Sequence, residues 1–284
     1  MRDPYPTLVF GSRGYLGQLL LAALPGSVGS TADIADLVAV RSEIRRVNPV
    51  AVINAAGKTG RPNVDWCETH QTETMRSNVT GALNVAEACA EAKTYLLHLG
   101  SGCIFYGPSP SPGGWLEDDH ANPTSFYSRS KYAADLMLSK LPNVGIARLR
   151  MPIGDRPDPR NLITKLAGYT QVVDVGNSVT VVSDLIRVIG QLVELRAEGV
   201  FHVVNPGVMR HRDLLRLYQE EVSPGRQWEF IEEEQLVARG LAAKTRSNCI
   251  LASPRLKALG IELPPIEQAL PEVIDRYAHQ QLGW

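Results

Sequence analysis

Apolar and polar positions follow two periods along this chain. Short, largely apolar runs at Thr7–Phe10, Val50–Asn54, Tyr95–Leu99, Val144–Leu149 and Val200–Val204 read as strands, and the continuous one at Val50–Asn54 is of the kind buried on both faces of a parallel sheet. Between the first four lie stretches of helical spacing: Gln18–Leu24, Leu37–Val47, about Thr72–Ala92 with Val79, Leu83 and Ala86 on one face, and Ser125–Leu141. This strand–helix repetition predicts an α/β fold, a Rossmann-type doubly wound parallel sheet, over residues 1–152. Its second strand is weakly marked, since Pro25–Thr31 offers only Val28. After Pro152 the rhythm breaks into helices at Asn161–Gly168, Val181–Leu195, His211–Glu221, Glu232–Ala238 and Pro265–Gln281, with a short strand at Val172–Asp174. Residues 153–284 are therefore expected to form a small, mostly helical C-terminal substrate lobe that returns some strands or helices to the first domain.

Composition narrows the picture. The 284 residues carry 29 basic and 30 acidic side chains, a formal net charge of −1, so no field attracts nucleic acid or anionic lipid and an anionic ligand must be met by local groups. Cys67, Cys89, Cys103 and Cys249 form no C-x-x-C and have no histidine at zinc-ligand spacing. Neither a disulfide framework nor a metal site is expected, and a reduced, cytoplasmic chain is the simplest reading. The N-terminal stretch lacks the basic and long apolar regions of a targeting segment, and no membrane span is expected. A homodimer is left open.

Three stretches carry chemistry. The first, GSRGYLG, places Gly11, Gly14 and Gly17 with Arg13, Tyr15 and Leu16 between a strand and a helix, the arrangement in which backbone N–H groups and the helix dipole receive a diphosphate. Arg13 is a candidate partner for a ribose 2′-phosphate, and no carboxylate marks the end of the second strand, so NADP(H) is favoured over NAD. Asp33 and Asp36 read equally as adenine-edge groups or as helix caps. In the second stretch, Asn54, Ala55, Ala56 and Lys58 let the chain pass close to a bound nicotinamide nucleotide. Arg61 and Asn63 follow at the carboxyl edge of the sheet, and Asn78 stands in the next helix as either a backbone bridge or an exposed polar residue. The third begins at Ser101, where an apolar strand ends, and reaches Tyr127 and Lys131. Their Y-x-x-x-K spacing puts phenol and ammonium on one helical face, where the charge is expected to lower the proton affinity of a phenol whose free pKa is ~10. Such a phenol, with Ser101 as second donor, can protonate a carbonyl oxygen. Cys103 is a thiol for which a simple carbonyl reductase has no need.

With these segments in place, the chain resembles the extended short-chain dehydrogenase/reductases. More narrowly, it resembles the nucleotide-rhamnose synthase epimerase/reductase group, which is related to dTDP-4-dehydrorhamnose reductase. The resemblance is carried by NAAGKTGRPNVDWCE (54–68), GCIF (102–105), SFYSRSK (125–131), RMPI (150–153), PRNLITK (159–165), NSVTV (177–181) and NPG (205–207). It implies Ser101, Tyr127 and Lys131 as the reductase triad and Cys103 with Lys165 as an acid/base pair for epimerisation. It further implies Met151 and Pro152 beside the cofactor, and Arg160, Asn161, Asn177 and Ser178 beside the substrate. The implied activity is conversion of a nucleotide (UDP or dTDP) 4-keto-6-deoxyglucose to nucleotide-L-rhamnose or a related 6-deoxy sugar with NADPH. Two other readings stay open: a plain 4-reductase with Cys103 merely packed, and an NADP-binding regulatory subunit that turns over no sugar. Arg13 and Tyr15 stand where the plant members carry lysine and tryptophan, and the segment after Phe105 is shorter than theirs.

Overall fold

The computed structural model describes residues 6–283. In chain order the elements are β1 (Thr7–Phe10), α1 (Tyr15–Ala23), β2 (Val28–Ser30), α2 (Leu37–Val47), β3 (Ala51–Asn54), α3 (Trp66–Thr69), α4 (Gln71–Met75), α5 (Gly81–Glu91), β4 (Tyr95–Ser101), α6 (Phe126–Leu138), β5 (Val144–Leu149) and β6 (Pro152–Ile153). There follow α7 (Leu162–Gly168), β7 (Gln171–Val173), β8 (Gly176–Val181), α8 (Val182–Leu195), β9 (Gly199–Val203), β10 (Asn205–Arg210), α9 (His211–Glu221), β11 (Glu229–Ile231), α10 (Glu233–Ala238), α11 (Pro254–Ala258) and α12 (Ile266–Leu282).

Six strands form one sheet in the order β2-β1-β3-β4-β5-β9, with β1 parallel to β2 and β3, and β3 parallel to β4. Every residue of β3 and β4 is buried, as their continuous apolar sequences require of strands covered on both faces. The core on one face joins Leu8, Phe10, Val52, Leu96 and Ile146 to Val85, Ala86 and Cys89 of α5 and to Ala134 and Leu138 of α6. The helix expected over Thr72–Ala92 is broken: α4 passes into a π turn at Arg76–Thr80 before α5 begins. Asp36 resolves to a cap, its carboxylate accepting from Val38 and Ala39 N–H at 3.0 and 3.1 Å.

The chain divides into two compact units, and the single boundary expected at 152/153 is replaced by five crossings. The first unit runs to Ile104 and resumes at Pro123–Arg148 and Ile186–Phe201. The second comprises Phe105–Asn122, Leu149–Leu185 and the chain from His202 onward. The returning stretch is most of α8 with the start of β9. The second unit is less purely helical than its apolar spacing suggests, because β10-β8-β6 make a three-stranded sheet and β11-β7 a parallel pair. Its core gathers Ile153, Ile163, Val179, Val181, Leu214, Leu215, Val273 and Tyr277. Among the described residues no helix is long and apolar enough to cross a membrane.

Candidate active site

The glycine loop follows from two backbone requirements. Gly11 takes φ +77°, and a Cβ on it would stand 2.5 Å from Ala56 N, while a Cβ on Gly17 would stand 2.2 Å from Gly11 O, so α1 starts hard against the end of β1. Gly14 caps α1 without a side-chain bond, and no acidic side chain lies in the first turn, so the N-terminal end of the helix suits an anion. Tyr15 and Leu16 open that helix. Ser12 ties the loop to β2 by donating to Ser30 O at 2.7 Å, whereas the Arg13 side chain is exposed. No carboxylate stands at the end of β2, which closes on Ser30. This cradle fits the diphosphate of a dinucleotide, with Arg13 available to a 2′-phosphate.

At the end of β3, Asn54 is fully buried and its Oδ1 accepts from Ala56 N–H at 3.1 Å, which turns Ala55 and Ala56 toward Gly11. The Lys58 backbone is clamped by Asn78, whose Oδ1 accepts from Lys58 N–H at 2.6 Å while Nδ2 donates to Lys58 O and to Ser130 Oγ, each at 3.0 Å. Asn78 is thus the bridge and not the exposed residue, and the π turn at Arg76–Thr80 carries it. The Lys58 ammonium lies 5.3 Å from the centroid of the Trp66 ring. Asn63 closes a turn by accepting from Asp65 N–H at 2.9 Å, and Arg61 is exposed.

Ser101, Cys103, Tyr127 and Lys131 come together in the first unit. Ser101 ends β4, and its Oγ accepts from Cys103 N–H at 3.2 Å across a 3-10 turn at Gly102–Ile104. Helix α6 is set opposite this turn by residues that sequence reasoning quoted only as part of a motif. Ser125 caps the helix, Glu68 accepts from Phe126 N–H at 2.7 Å, Ser128 Oγ donates to Cys103 O at 2.7 Å, and Ser130 Oγ donates to Tyr127 O at 2.7 Å. The phenol of Tyr127 bonds with the Ser101 hydroxyl, which favours its ionised form. Burial and the charge of the neighbouring Cys103 outweigh that bond, so the Tyr127 pKa is raised. The expected lowering by Lys131 is therefore corrected: Lys131 Nζ is drawn away to Leu99 O at 2.8 Å and His98 Nε2 at 3.1 Å. Lys131 is itself buried, which lowers its pKa, with Asp135 opposing the shift one turn further along α6. Asp135 meets Arg148 at 2.9 Å, both side chains almost fully buried.

The remaining candidates belong to the second unit. Arg150 is buried, donates through its backbone N–H to Thr180 Oγ1 at 2.9 Å, and through Nη2 to Asn177 Oδ1 at 2.5 Å and to Ser247 O. Asn177 also accepts from Cys249 N–H at 3.1 Å, and Ser178 Oγ accepts from Leu251 N–H at 2.9 Å. Asn161 caps α7 and links Gly154, Arg156 and Ile163 through four bonds. These three amide and hydroxyl side chains hold loops and strands in place, in contrast to the substrate-facing role that the resemblance implies for them. Met151 sits at φ +44°, a left-handed conformation costing an L-residue about 1 kcal/mol, just before Pro152 pairs with Thr180. Arg160 is exposed and bonds to Asp158 at 3.1 Å. Lys165, on α7, is half-buried. Burial lowers its pKa, Asp158 opposes and Arg160 assists. Cys67, which the sequence already placed as a packed residue, is buried.

A parallel sheet turned by a glycine loop, with serine, tyrosine and lysine gathered where β4 ends, defines a short-chain dehydrogenase/reductase type of protein. Residues 6–279 match the family described as the RmlD substrate binding domain, and the chain belongs to that family. It is 39% identical over 275 residues to a bifunctional dTDP-4-dehydrorhamnose 3,5-epimerase/dTDP-4-dehydrorhamnose reductase of Arabidopsis thaliana, covering 93% of this chain and 90% of that one. A trifunctional UDP-glucose 4,6-dehydratase/UDP-4-keto-6-deoxy-D-glucose 3,5-epimerase/UDP-4-keto-L-rhamnose-reductase of the same plant is 39% identical over 277 residues, and the chain spans 41% of its length. Among solved structures, the UDP-rhamnose synthase of Acanthamoeba polyphaga mimivirus superposes with a TM-score of 0.89 at 30% identity, covering 95% of this chain and 99% of that one.

Proposed function

We propose that the chain is an NADPH-dependent oxidoreductase that reduces C4 of a nucleotide-linked 4-keto-6-deoxyhexose, and that it also epimerises the sugar at carbons next to the ketone. The observation that carries the first half is the Ser101, Tyr127 and Lys131 cluster beside an anion-receiving glycine loop. Bound NADPH supplies the hydride. Tyr127, held protonated by burial, gives its proton to the ketone oxygen, and Ser101 donates a second hydrogen bond to the same oxygen. Lys131 would hold the nicotinamide ribose, and the turn at Gly11, Gly14 and Gly17 would receive the diphosphate, with Asn54 fixing the adjoining Ala55 and Ala56. The names of the plant and viral relatives support both halves of the reaction and a rhamnose-type product.

The epimerase half rests on Cys103 and Lys165. Protons on carbons alpha to the ketone are acidic enough for a thiolate or an amine to remove, and the donors that polarise the ketone also stabilise the enolate. A partly exposed Cys103 whose backbone is pinned to α6 by Ser128 has the fixed placement a base requires. Lys165, its pKa lowered by burial, serves as the second acid/base group.

The test uses UDP- and dTDP-4-keto-6-deoxyglucose with purified protein. NADPH oxidation with a rhamno-configured product on NMR is the expected result, and no oxidation with either nucleotide overturns the reductase reading. A parallel incubation in D2O without NADPH is expected to place deuterium at C3 or C5. Its absence alongside intact reduction leaves the plain 4-reductase.

A further inference from the structure

Beneath the candidate site, three buried side chains form a row from β3 through β4 to α6. Asn54, His98 and Lys131 are 0, 1 and 4% exposed. Asn54 Nδ2 lies 3.2 Å from His98 Nδ1, and Lys131 Nζ lies 3.1 Å from His98 Nε2. Donor counting along this row fixes protons that are otherwise invisible.

Asn54 cannot turn over. Its Oδ1 accepts from Ala56 N–H at 3.1 Å, and a flipped amide would set an N–H donor against that N–H. Nδ2 is therefore the atom facing the imidazole, and His98 Nδ1 must accept. A neutral imidazole has one donor and one acceptor, so the ring proton sits on Nε2, pointing at Lys131. An ammonium there would place two N–H donors head to head at 3.1 Å. An amine instead offers its lone pair to Nε2–H and one of its own hydrogens to Leu99 O at 2.8 Å.

We propose that His98 is a positioning residue for Lys131: oriented by Asn54, it carries its proton on Nε2 and donates it to the Lys131 Nζ lone pair, holding that lysine as the amine. Among the described residues, the other charged or titratable groups facing the row are Asp135 and Tyr127 of α6 and Arg148 of β5, together with Cys103 and Cys67 beside the phenol. Asp135 favours the ammonium, and the Arg148 guanidinium bonded to its Oδ2 at 2.9 Å offsets that charge. Burial lowers the pKa of both His98 and Lys131, as a neutral pair requires. Lys131 then gains a proton only when the donor on His98 is withdrawn. The consequence for turnover rests on the reductase reading above, whereas the tautomer does not.

The test is long-range 1H–15N NMR on the full chain labelled in histidine and lysine. The expected spectrum shows a neutral His98 ring protonated on Nε2 from about pH 6 to 9, across the range where histidine ordinarily titrates. A proton on Nδ1, or an imidazolium at neutral pH, overturns the proposal. Two variants read the coupling. In His98→Gln the amide oxygen accepts from Lys131. In Asn54→Asp the carboxylate forces the ring proton to Nδ1 and frees Nε2 to accept, with His98 untouched. Each is expected to raise the Lys131 titration midpoint by about one pH unit or more, equivalent to a tenfold change in proton affinity. An unchanged midpoint in a folded variant overturns the proposal. With the sugar substrate, the acid limb of kcat/KM moves up with that midpoint, because the amine is the working form, whereas a merely structural defect lowers the rate without moving the limb. Should no sugar be turned over, the spectra still decide the protonation.

Discussion

Tyr127 holds its proton more tightly than a free phenol, because burial and the adjacent Cys103 outweigh the Ser101 hydroxyl. That makes it a loaded acid across the neutral range. Tyr127→Phe is expected to lower NADPH-dependent reduction by about 10²- to 10⁴-fold, the range for one proton donor, with NADPH binding by fluorescence retained. Cys103→Ala separates the two halves of the reaction: deuterium uptake next to the ketone disappears, while reduction of an already epimerised substrate persists. Persisting uptake assigns the base elsewhere. Ser128→Ala removes the hydroxyl that holds the Cys103 carbonyl at 2.7 Å and is expected to cost about 1 kcal/mol in urea denaturation. Deuterium uptake in that variant is expected to fall by more than reduction does, because the thiol loses its fixed placement.

At the scale of elements, the glycine turn and α5 give separate expectations. Gly17→Ala would put a Cβ 2.2 Å from Gly11 O, so the turn must open, and NADPH binding measured by titration calorimetry is expected to be lost. In α5, burial pushes the Cys89 thiol up to about 12. The native state keeps that proton while the unfolded chain releases it above about pH 8.5, so stability falls as pH rises through the interval, by about 1.4 kcal/mol per unit at most. Urea midpoints followed with pH are expected to decline less steeply in Cys89→Ala. The same scale shows what the sequence discloses. β1, β3, β4 and β5 are legible because strands covered on both faces are built mainly from apolar residues. β8 is not, since Asn177, Ser178 and Thr180 are buried in it as polar groups with partners distant in sequence. β10 contains Pro206 and Gly207 at exposed positions, which read as a turn. The reductase residues declare themselves by spacing, but His98 lies inside an apolar run, and only its neighbours on β3 and α6 disclose a use for it. The direction of the Tyr127 shift was misread for a related reason: spacing brings the lysine to the right face, but not which acceptors its Nζ chooses.

The two units are woven from discontinuous stretches, so no cut at one position frees either. A fragment ending at residue 152 lacks β9 and the whole of α8. It also lacks the carbonyl of Ala197, to which the buried Tyr95 hydroxyl donates at 2.7 Å. Such a fragment is expected to show no cooperative thermal transition by circular dichroism, whereas a transition like that of the full chain would make the late stretch dispensable. β9 closes the sheet against β5, yet the stretch Leu149–Leu185 of the other unit is made before it. On the ribosome, the rim of β5 thus waits for its neighbour with its hydrogen-bonding groups bare, the state in which strands recruit one another from different molecules. A crowded, fast-translating host is accordingly expected to leave more of the chain in aggregates than a slow one, measured as the insoluble fraction.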